Sequence, residues 1–353
     1  MKSVFVLLLL VAPTAFSRTA LITGATGGVG FNLLLEMLAD PDYEVVHAAV
    51  RNPAKLLEQL RKAGVQSDKL RIIRADAPNW DFQGLQVEDV VHTVGVLWGR
   101  DRKSDFFPVN VDGTMQMLRT LPRSIRLVIL SSLAAHGPTE GLVREGEADK
   151  PITWYGESKL EMERRILAEM PELNVVFLRA GAVFGQREAE TERLLRAAGN
   201  LPIFLKNGWY RKRISFVSID DLNSAILFLL KRGIDFRALP TRYLYVNSVD
   251  SMDTNELFHA AQKVTWGAPL GIVPLNLFWL RLASYLGDIG LLRGLPPSLS
   301  AGRVVDLFQT AWTSCGSALR LLGWEAQDTI ESALRKSREE TLRHRRRWWN
   351  WKR

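Results

Sequence analysis

Short apolar runs that alternate with longer helical segments predict an α/β fold, a doubly wound parallel sheet with a smaller C-terminal lobe. Between about residues 19 and 184, each run holds β-branched or bulky apolar residues and is followed by polar residues, Gly or Pro. Strands that are apolar throughout are typical of parallel sheets covered on both faces, which bind ligands at the carboxyl ends of their strands. The predicted strands are Thr19–Ile22, Val45–Val50, Arg71–Arg74, Val90–Thr93, Leu127–Leu130 and Val175–Leu178.

The first 17 residues have the layout of a targeting segment. Met1 and Lys2 form a short positive region, Val4–Val11 is apolar but too short to span a bilayer, and Ala15–Ser17 offers small residues for cleavage. We expect an organelle or secretory route, to the endoplasmic reticulum or to a plastid by way of it. The alternatives are a mitochondrial or membrane-associated protein, or an apolar extension of the fold.

A glycine-rich segment, Thr23–Gly30, separates the first predicted strand from a predicted helix at Phe31–Leu38. Gly24 suits a tight turn, Gly27 lets backbone N–H groups approach a pyrophosphate, and Gly30 lets the helix pack closely on the strand. The N-terminus of the helix adds positive potential for phosphates. This order predicts a dinucleotide site of the Rossmann type.

The second predicted strand ends at Arg51, where enzymes that use NAD usually place an acidic residue for the ribose hydroxyls. No acidic residue stands beside Arg51 in the segment Arg51–Lys55. An arginine at this position suits the additional phosphate of NADP. We therefore expect NADP, selected by Arg51, with NAD as the alternative cofactor.

A Tyr-x-x-x-Lys pair, Tyr155 and Lys159, lies downstream of the glycine turn. Residues four apart share one face of a helix, so the ammonium lies near the phenol and favours its ionised form. Ser131 and Ser132 follow the strand Leu127–Leu130 and supply a hydroxyl for a substrate carbonyl. Together these groups predict the transfer of a hydride and a proton, whereas the alternative is an ordinary exposed helix pair.

After Phe184 the pattern changes, and we expect a substrate-binding lobe interleaved with the last strands. Its predicted elements are a charged helix at Arg187–Ala198, strands at Ile214–Ile219 and Tyr243–Val246, and a helix at Asp220–Leu230. The expected division is 1–17 targeting segment, 18–185 NAD(P)-binding Rossmann domain, 186–337 substrate-binding lobe and 338–353 basic tail.

Two segments suggest contact with a membrane surface. Pro269–Leu292 is rich in Leu, Trp, Tyr and Phe but is interrupted by polar residues, so we expect an amphipathic helix over the substrate pocket, with a membrane-surface helix as the alternative. The tail, Arg343–Arg353, interleaves cations with tryptophans, as at membrane interfaces. A solvated terminus is the alternative, and nucleic acid is not the expected partner.

The bulk composition is that of a globular protein, with 47% hydrophobic and 24% charged residues, but the net charge of +8 indicates an anionic ligand or surface. The single cysteine, Cys315, excludes an intramolecular disulfide and a cysteine-based metal cluster. The five histidines show no metal-binding spacing, so we expect no metal.

The order and spacing of these motifs resemble the extended short-chain dehydrogenase/reductases, in the NAD-dependent epimerase/dehydratase group. The resemblance runs from about Thr19 to Ser337, nearly the whole chain after the targeting segment. The matching stretches are Thr23–Gly30, Arg51, Asp76, Val91–Gly95, Asn110–Thr114, Leu130–Ser132, Tyr155–Lys159, Leu178–Gly181, Phe216–Asp221 and Leu322–Trp324.

The resemblance implies roles for some of the matching residues. Ser132 corresponds to the catalytic serine, Tyr155 to the general acid/base, Lys159 to its partner, and Asn110 to the residue that holds the active-site backbone. The residues implied in cofactor binding are Gly24, Thr26, Gly27, Gly28, Val29, Gly30, Arg51, Asp76, Ala77, Thr93, Val94, Gly95, Tyr155, Lys159, Ala182 and Val183.

One departure bears on the substrate. Sugar-nucleotide epimerases often carry Arg-Asp before the strand Phe216–Asp221, and a histidine where Ser218 stands. This chain has Ile214 and Ser215 there, which puts a diphosphate-sugar substrate in doubt, although the basic residues at 211–213 could replace the arginine.

The predicted function is an NADP-dependent reductase or dehydrogenase that acts on a hydroxyl or carbonyl group, with an apolar, lipid- or sterol-like substrate suggested by Val273–Leu292. An epimerase or dehydratase is the alternative within enzymes. A cofactor-binding structural subunit, like the accessory subunit of respiratory complex I, is the non-enzymatic alternative. Such subunits tend to lose the Tyr/Lys pair that this chain keeps. A homodimer is left open.

Overall fold

The computed structural model describes residues 17–97, 99, 102–200, 203–207, 212–275 and 311–351. The predicted targeting segment lies outside these residues apart from Ser17, and the predicted helix Pro269–Leu292 lies outside them beyond Leu275. Within the described part of the chain, no helix is long and apolar enough to cross a membrane.

A seven-stranded parallel sheet confirms the predicted doubly wound fold. Its strands are β1 Arg18–Thr23, β2 Tyr43–Val50, β3 Leu70–Arg74, β4 Asp89–His92, β5 Arg126–Ser132, β6 Asn174–Ala180 and β10 Tyr243–Val246. Their order across the sheet is β10-β6-β5-β4-β1-β2-β3, and the pairings along it are parallel. The order reverses between β1 and β4, which is the point where open α/β sheets bind ligands.

Helices cover both faces because successive residues of each strand point to opposite sides. On β5, Leu127 and Ile129 belong to one buried core, whereas Val128 belongs to the other. One face packs against α1 Gly28–Ala39, α2 Pro53–Ala63 and α7 Ile219–Lys231. The other face packs against α3 Lys103–Phe107, a π-helical turn Pro108–Gly113, α4 Thr114–Thr120 and α5 Trp154–Glu169.

Side-chain caps fix where the helices begin. Asn52 accepts a hydrogen bond from the N–H of Lys55 at 3.0 Å to start α2, and Ser218 accepts one from Asp221 at 2.9 Å to start α7. Thr153 does the same for Gly156 at 3.1 Å, which places Tyr155 in the first turn of α5.

The second lobe is built around smaller sheets. Strand β9 Arg213–Ser218 pairs with β7 Ala182–Phe184, β11 Val249–Asp253 and β13 Ala311–Trp312, while β8 Ile203–Asn207 pairs with β12 Gly271–Leu275. A separate apolar core includes Phe184, Leu195, Phe216, Leu257 and Leu334. The lobe's helices are α6 Ala189–Asn200, α8 Thr254–Trp266, α9 Ser317–Leu321 and α10 Ile330–Trp351, and single 3₁₀ turns lie at Leu133–Ala135 and Phe236–Ala238.

Two expectations for the second half are wrong in detail. Residues 271–275 lie within the expected helix Pro269–Leu292 but form the strand β12 instead. This strand pairs in parallel with β8, with Val273 opposite Leu205. The charged helix begins at Ala189 rather than Arg187, because Arg187 has a positive φ of 61° that no α-helix accommodates. Helix α10 spans residues 337 and 338, where the basic tail is expected to begin, and the expected division of the chain stays a prediction.

Candidate active site

The carboxyl ends of β1, β4 and β5 bring the predicted site residues to one edge of the main sheet. Thr23 at the end of β1 pairs with His92 at the end of β4, and Ser132 at the end of β5 pairs with Ala180 on β6. The glycine turn, Thr93–Gly95 and Ser132 therefore follow neighbouring strands. This edge is the one that the sequence predicts to bind the cofactor.

The glycine turn is shaped so that two of its glycines cannot carry side chains. Gly24 has φ +81°, and a Cβ there would lie 2.6 Å from Thr93 Oγ1. A Cβ on Gly30 would lie 2.4 Å from the carbonyl oxygen of Gly24, so the helix N-terminus packs directly on the turn. Gly27 has more room, with 3.3 Å from a Cβ to the same oxygen.

Helix α1 begins after this turn without a side-chain cap. Gly27 occupies the cap position, and the first turn of α1 holds no acidic residue. Thr26 and Val29 are partly exposed, whereas Gln59 on α2 holds the turn by donating to the Thr26 carbonyl oxygen at 3.3 Å. Helix N–H groups without a capping oxygen suit an anion, so the turn fits the diphosphate of a dinucleotide.

Two residues of opposite charge lie where the adenosine half of a dinucleotide would bind. Arg51 follows β2 and Asp76 follows β3, and because these strands pair, Arg51 Nε lies 3.8 Å from Asp76 Oδ1. The side chains are 80% and 69% exposed. The expectation that Arg51 has no acidic residue beside it is therefore wrong, since the sheet supplies one from 25 residues away in sequence. Ala77, next to Asp76, is half-buried against the core.

The segment after β4 is fixed against α5 by Asn110. Its Oδ1 accepts from the N–H of Val96 at 2.7 Å, and its Nδ2 donates to the Val96 carbonyl oxygen at 3.1 Å and to Ser158 Oγ at 2.9 Å. Asn110 is buried, and these direct bonds hold the backbone at Val96. Its role in an active site stays a prediction. Thr93 Oγ1 donates to the Thr23 carbonyl oxygen at 2.7 Å, and the neighbouring Val94 packs against the core.

Lys159 lies under this segment. It is 4% exposed, its Nζ donates to the Leu130 carbonyl oxygen at 2.9 Å, and a Cβ on Gly95 would lie 3.1 Å from that Nζ. Burial lowers the pKa of Lys159 to about 8, although the negative charge of Glu163 acts in the opposite direction. The ammonium thus carries its proton at neutral pH but loses it under mildly alkaline conditions.

Tyr155 stands one turn before Lys159 and is partly exposed. The buried ring of Phe106 meets the Tyr155 ring edge-on, with centroids 6.0 Å apart. The intervening Gly156 must lack a side chain, because a Cβ would lie 2.2 Å from the carbonyl oxygen of Ala134. This contact brings the start of α5 against the turn that follows Ser132, a role of Gly156 that the Tyr-x-x-x-Lys motif does not predict.

The two serines after β5 have different surroundings. Ser131 is buried, and its hydroxyl donates to Glu163 Oε1 at 2.5 Å. Ser132 is partly exposed, and its Oγ accepts a hydrogen bond from the N–H of Ala134 at 3.1 Å. The Ser132 hydroxyl hydrogen therefore stays available to a ligand, which agrees with the choice of Ser132 over Ser131. Its catalytic role stays a prediction.

His92, beside these residues, is a neutral structural group. Its Nδ1 lies 2.7 Å from Thr23 Oγ1 and its Nε2 lies 3.0 Å from Thr114 Oγ1. Burial, with a contribution from the charge of Lys159, lowers its pKa to about 3. The side chain thus ties β1 to α4 without adding charge to the site.

The chain returns to the site through β7. Ala182 and Val183 are partly buried, and Gly181 before them must be small because a Cβ would lie 2.6 Å from the Ser215 carbonyl oxygen. Arg187 then reaches α1. It donates to Asn32 Oδ1 at 2.6 Å, and its carbonyl oxygen would lie 3.0 Å from a Cβ on Gly28. The glycine motif alone does not reveal this contact, although the positive φ of Arg187 marks it.

No metal site is evident in the described ranges, where no three His, Cys, Asp or Glu side chains are grouped to hold an ion.

Comparisons with known proteins bear on the family and on the fold. A sequence model of the NAD-dependent epimerase/dehydratase family matches residues 20–238. The chain is 24% identical over 349 residues to UDP-glucose 4-epimerase of Vibrio cholerae, covering 92% of this chain and 96% of that protein. It is 25% identical over 319 residues to 2'-dehydrokanamycin reductase of Streptomyces kanamyceticus, covering 81% of each.

A third relative is far longer than this chain. A nonribosomal peptide synthetase of Aspergillus campestris is 25% identical over 320 residues, which cover 77% of this chain and 30% of that protein. Among solved structures, UDP-glucuronic acid 4-epimerase of Bacillus cereus, in complex with UDP-glucuronic acid and NAD, superposes with a TM-score of 0.71 at 18% identity. The match covers 92% of this chain and 99% of that one, and it supports the fold.

Proposed function

The chain belongs to the NAD-dependent epimerase/dehydratase family, and from that membership we propose that it is a nicotinamide-dependent oxidoreductase acting at a carbinol or carbonyl carbon. The observation that carries the proposal is the buried ammonium of Lys159, one helical turn from Tyr155 and beside Gly95. Burying a lysine is costly, and such residues concentrate at functional sites.

The chemistry requires a hydride and a proton to move together. When bound, a nicotinamide ring gives a hydride to a carbonyl carbon or takes one from a carbinol carbon. In the reducing direction, the Tyr155 hydroxyl donates its proton to the substrate oxygen, whose C=O π electrons become the O–H bond. The Lys159 ammonium favours the phenolate that Tyr155 becomes, and the Ser132 hydroxyl donates a hydrogen bond to the same oxygen.

Of the reactions open to this family, we favour a net reduction or oxidation. The similarity to a reductase over 81% of this chain supports that choice. Ser215 also supports it, because it stands where sugar-nucleotide epimerases often carry an acidic residue. Its hydroxyl has a structural role: it donates to the Asp250 carbonyl oxygen at 2.5 Å and accepts a hydrogen bond from the N–H of Ser314 at 2.7 Å. Epimerisation is the second candidate, favoured by the full-length similarity to an epimerase.

We further propose NADP as the preferred cofactor and an apolar substrate. Arg51 is exposed at the end of β2, where it can meet an additional phosphate, although Asp76 beside it could accept from ribose hydroxyls. Aromatic side chains at the start of α5 support an apolar substrate: Phe106 contacts Tyr155, and Phe107 meets the exposed Trp154 edge-on at 6.4 Å between centroids.

The test uses the purified full chain with NADPH or NADH and two substrate panels, apolar ketones and aldehydes in one and UDP-sugars in the other. Absorbance of the reduced nicotinamide reports net reduction, and NMR of the sugars reports epimerisation without net cofactor change. We expect stoichiometric oxidation of NADPH by a member of the first panel. Epimerised sugar would support the second candidate, and a folded protein that binds neither nucleotide would contradict the proposal.

A further inference from the structure

A buried cluster of charges lies behind Lys159. Glu163, one helical turn further along α5, is fully buried and accepts hydrogen bonds from Arg179 Nε at 3.1 Å and Nη2 at 2.5 Å. The other edge of the guanidinium donates to both oxygens of Asp149, at 2.7 and 3.0 Å. The Arg179 Cζ atom lies over the Tyr243 ring, 4.4 Å from its centroid.

The cluster holds two carboxylates against one guanidinium. Although burial works against ionisation of Asp149, contacts with His136 and Arg179 bring its pKa down to about 2, so it is ionised. Burial also raises the pKa of Glu163, and the Arg179 guanidinium opposes that rise. A two-point contact with a guanidinium favours the carboxylate form, so we take Glu163 as ionised at neutral pH. Counting only the guanidinium and the two carboxylates, and leaving aside His136 beside Asp149, there is one negative charge in excess.

A positive charge on the same helix as Glu163 is that of Lys159, whose pKa the charge of Glu163 raises against the effect of burial. Lys159 is four residues before Glu163, and residues at this spacing on a helix are neighbours. The other titratable groups placed toward Lys159 are Tyr155 on its own helix and His92 on β4, which is neutral because of its burial. Arg179, Asp149 and His136 lie behind Glu163, with His136 Nδ1 3.4 Å from Asp149 Oδ1.

The cluster is also joined to the catalytic edge of the sheet. Ser131, whose neighbour is Ser132, donates to Glu163, while Arg179 extends from β6 beside β5. Glu163 thus connects the strand end that carries Ser132 with the helix that carries Tyr155 and Lys159. A neutral residue of the same shape would keep part of this connection but remove the charge.

We propose that Glu163, held in place by Arg179 and Asp149, is a positioning residue that supplies the counter-charge for the Lys159 ammonium. This inference rests on the proposed function for its consequence in catalysis, since Lys159 acts there through Tyr155. The electrostatic part stands on the cluster alone and can be measured without turnover. Glu163, Arg179 and Asp149 thus form a set of charged residues next to the Tyr155/Lys159 pair that the Tyr-x-x-x-Lys motif does not include.

The experiment is an NMR titration of Lys159 in the full chain labelled with ¹³Cε-lysine, the signal being assigned with Lys159→Met. Glu163→Gln removes the charge and keeps the shape. We expect the titration midpoint of Lys159 to fall by about one pH unit or more, because the opposite charge one helical turn away, which raises the pKa of Lys159, is lost. Ser131→Ala is the matched control: it removes a hydrogen bond to the same carboxylate but no charge, and should leave the midpoint nearly in place.

Conservative and peripheral variants complete the test. Glu163→Asp keeps the charge and should restore the wild-type midpoint. If Glu163→Gln does not fold, Asp149→Asn decides, because its carboxylate is at the edge of the cluster and its loss leaves Arg179 less compensated. A folded Glu163→Gln, or in its absence a folded Asp149→Asn, with the wild-type midpoint would overturn the proposal.

The catalytic consequence is a separate readout. Once a substrate is known, the rate in Glu163→Gln should decline with rising pH about one unit earlier than in the wild type. If the Lys159 titration shifts but the protein has no activity, the electrostatic proposal holds and the proposed function is wrong. If the titration does not shift but the enzyme is active, the proposed function holds and the electrostatic proposal is wrong.

Discussion

At the scale of single residues, the cofactor edge shows how a sheet creates neighbours that a linear motif does not contain. Arg51 satisfies the sequence rule for NADP, yet Asp76 lies 3.8 Å from it. Both side chains are largely exposed, and an exposed pair of this kind contributes at most about 1 kcal/mol. The pair therefore does not lock either side chain, and each is free to turn toward a ligand.

We therefore predict that Arg51 and Asp76 have opposite effects on the preference for NADPH over NADH. We expect the wild type to bind NADPH more tightly than NADH. Arg51→Asp should reverse the order, because it repels the additional phosphate and can accept from ribose hydroxyls. Asp76→Asn is the partner variant and should widen the preference for NADPH. Calorimetric titration of both nucleotides measures all three, and equal affinities in the wild type would show that Arg51 is not a selector.

The motif predicts the glycines, the Tyr/Lys pair and Ser132 because each depends on chain-local geometry: a turn, a helical spacing, a strand end. The motif does not predict the roles of Glu163, Arg179 and Gly156, because these depend on contacts between distant segments. A Cβ on Gly156, for example, would lie 2.2 Å from the carbonyl oxygen of Ala134. Spacing alone does not reveal such contacts.

At the scale of elements, the main strands were predictable because their apolar runs are continuous and β-branched. The strands of the second lobe were less predictable. Strands β8 and β12 are short and pair with each other, and β12 lies in a segment, residues 269–292, where a helix is expected. A short apolar run carries too little periodicity to distinguish a strand from a buried helix.

The contact between α1 and α7 has a measurable pH dependence. Glu36 on α1 is partly buried and accepts a hydrogen bond from Asn223 Nδ2 at 3.0 Å, and burial raises its pKa from 4.5 to about 7. In the unfolded chain the carboxylate ionises first, so stability falls as pH rises through this window and stays lower above it. Glu36→Gln should therefore be more stable than the wild type above pH 7, by on the order of 1–3 kcal/mol, and equal to it near pH 4.

Urea denaturation at several pH values tests this, with the exposed Glu140→Gln as the control for loss of a surface carboxylate. Equal stability of Glu36→Gln and wild type at pH 8 would show that the Glu36 carboxylate is solvated in the folded protein.

At the scale of the whole molecule, α10 links the C-terminal region to the cofactor edge. Leu334 is buried in the lobe core, and Glu340 forms an ion pair with Arg187, whose ring-stacked guanidinium lies 5.2 Å from the centre of Phe31 on α1. Beyond this anchor, residues 343–353 carry six of the lysines and arginines in a chain of net charge +8.

We propose that this basic, tryptophan-containing segment attaches the protein to anionic membrane surfaces. Each lysine or arginine near such a surface contributes about 1 kcal/mol, and the attraction is screened by salt. The full chain should co-sediment with phosphatidylserine vesicles at low salt and dissociate at high salt. A chain ending at Leu342 should not bind. Equal binding of both chains would assign the attraction to another surface.

The central claim is that Tyr155 passes a proton while the nicotinamide passes a hydride, and single-turnover hydride transfer in Tyr155→Phe tests it most directly. The variant keeps the ring that contacts Phe106 and removes the hydroxyl. NADPH affinity should stay close to that of the wild type, whereas the rate of hydride transfer should fall by about 10²–10⁴, the contribution expected of a general acid. A Tyr155→Phe enzyme that transfers hydride at the wild-type rate would contradict the account.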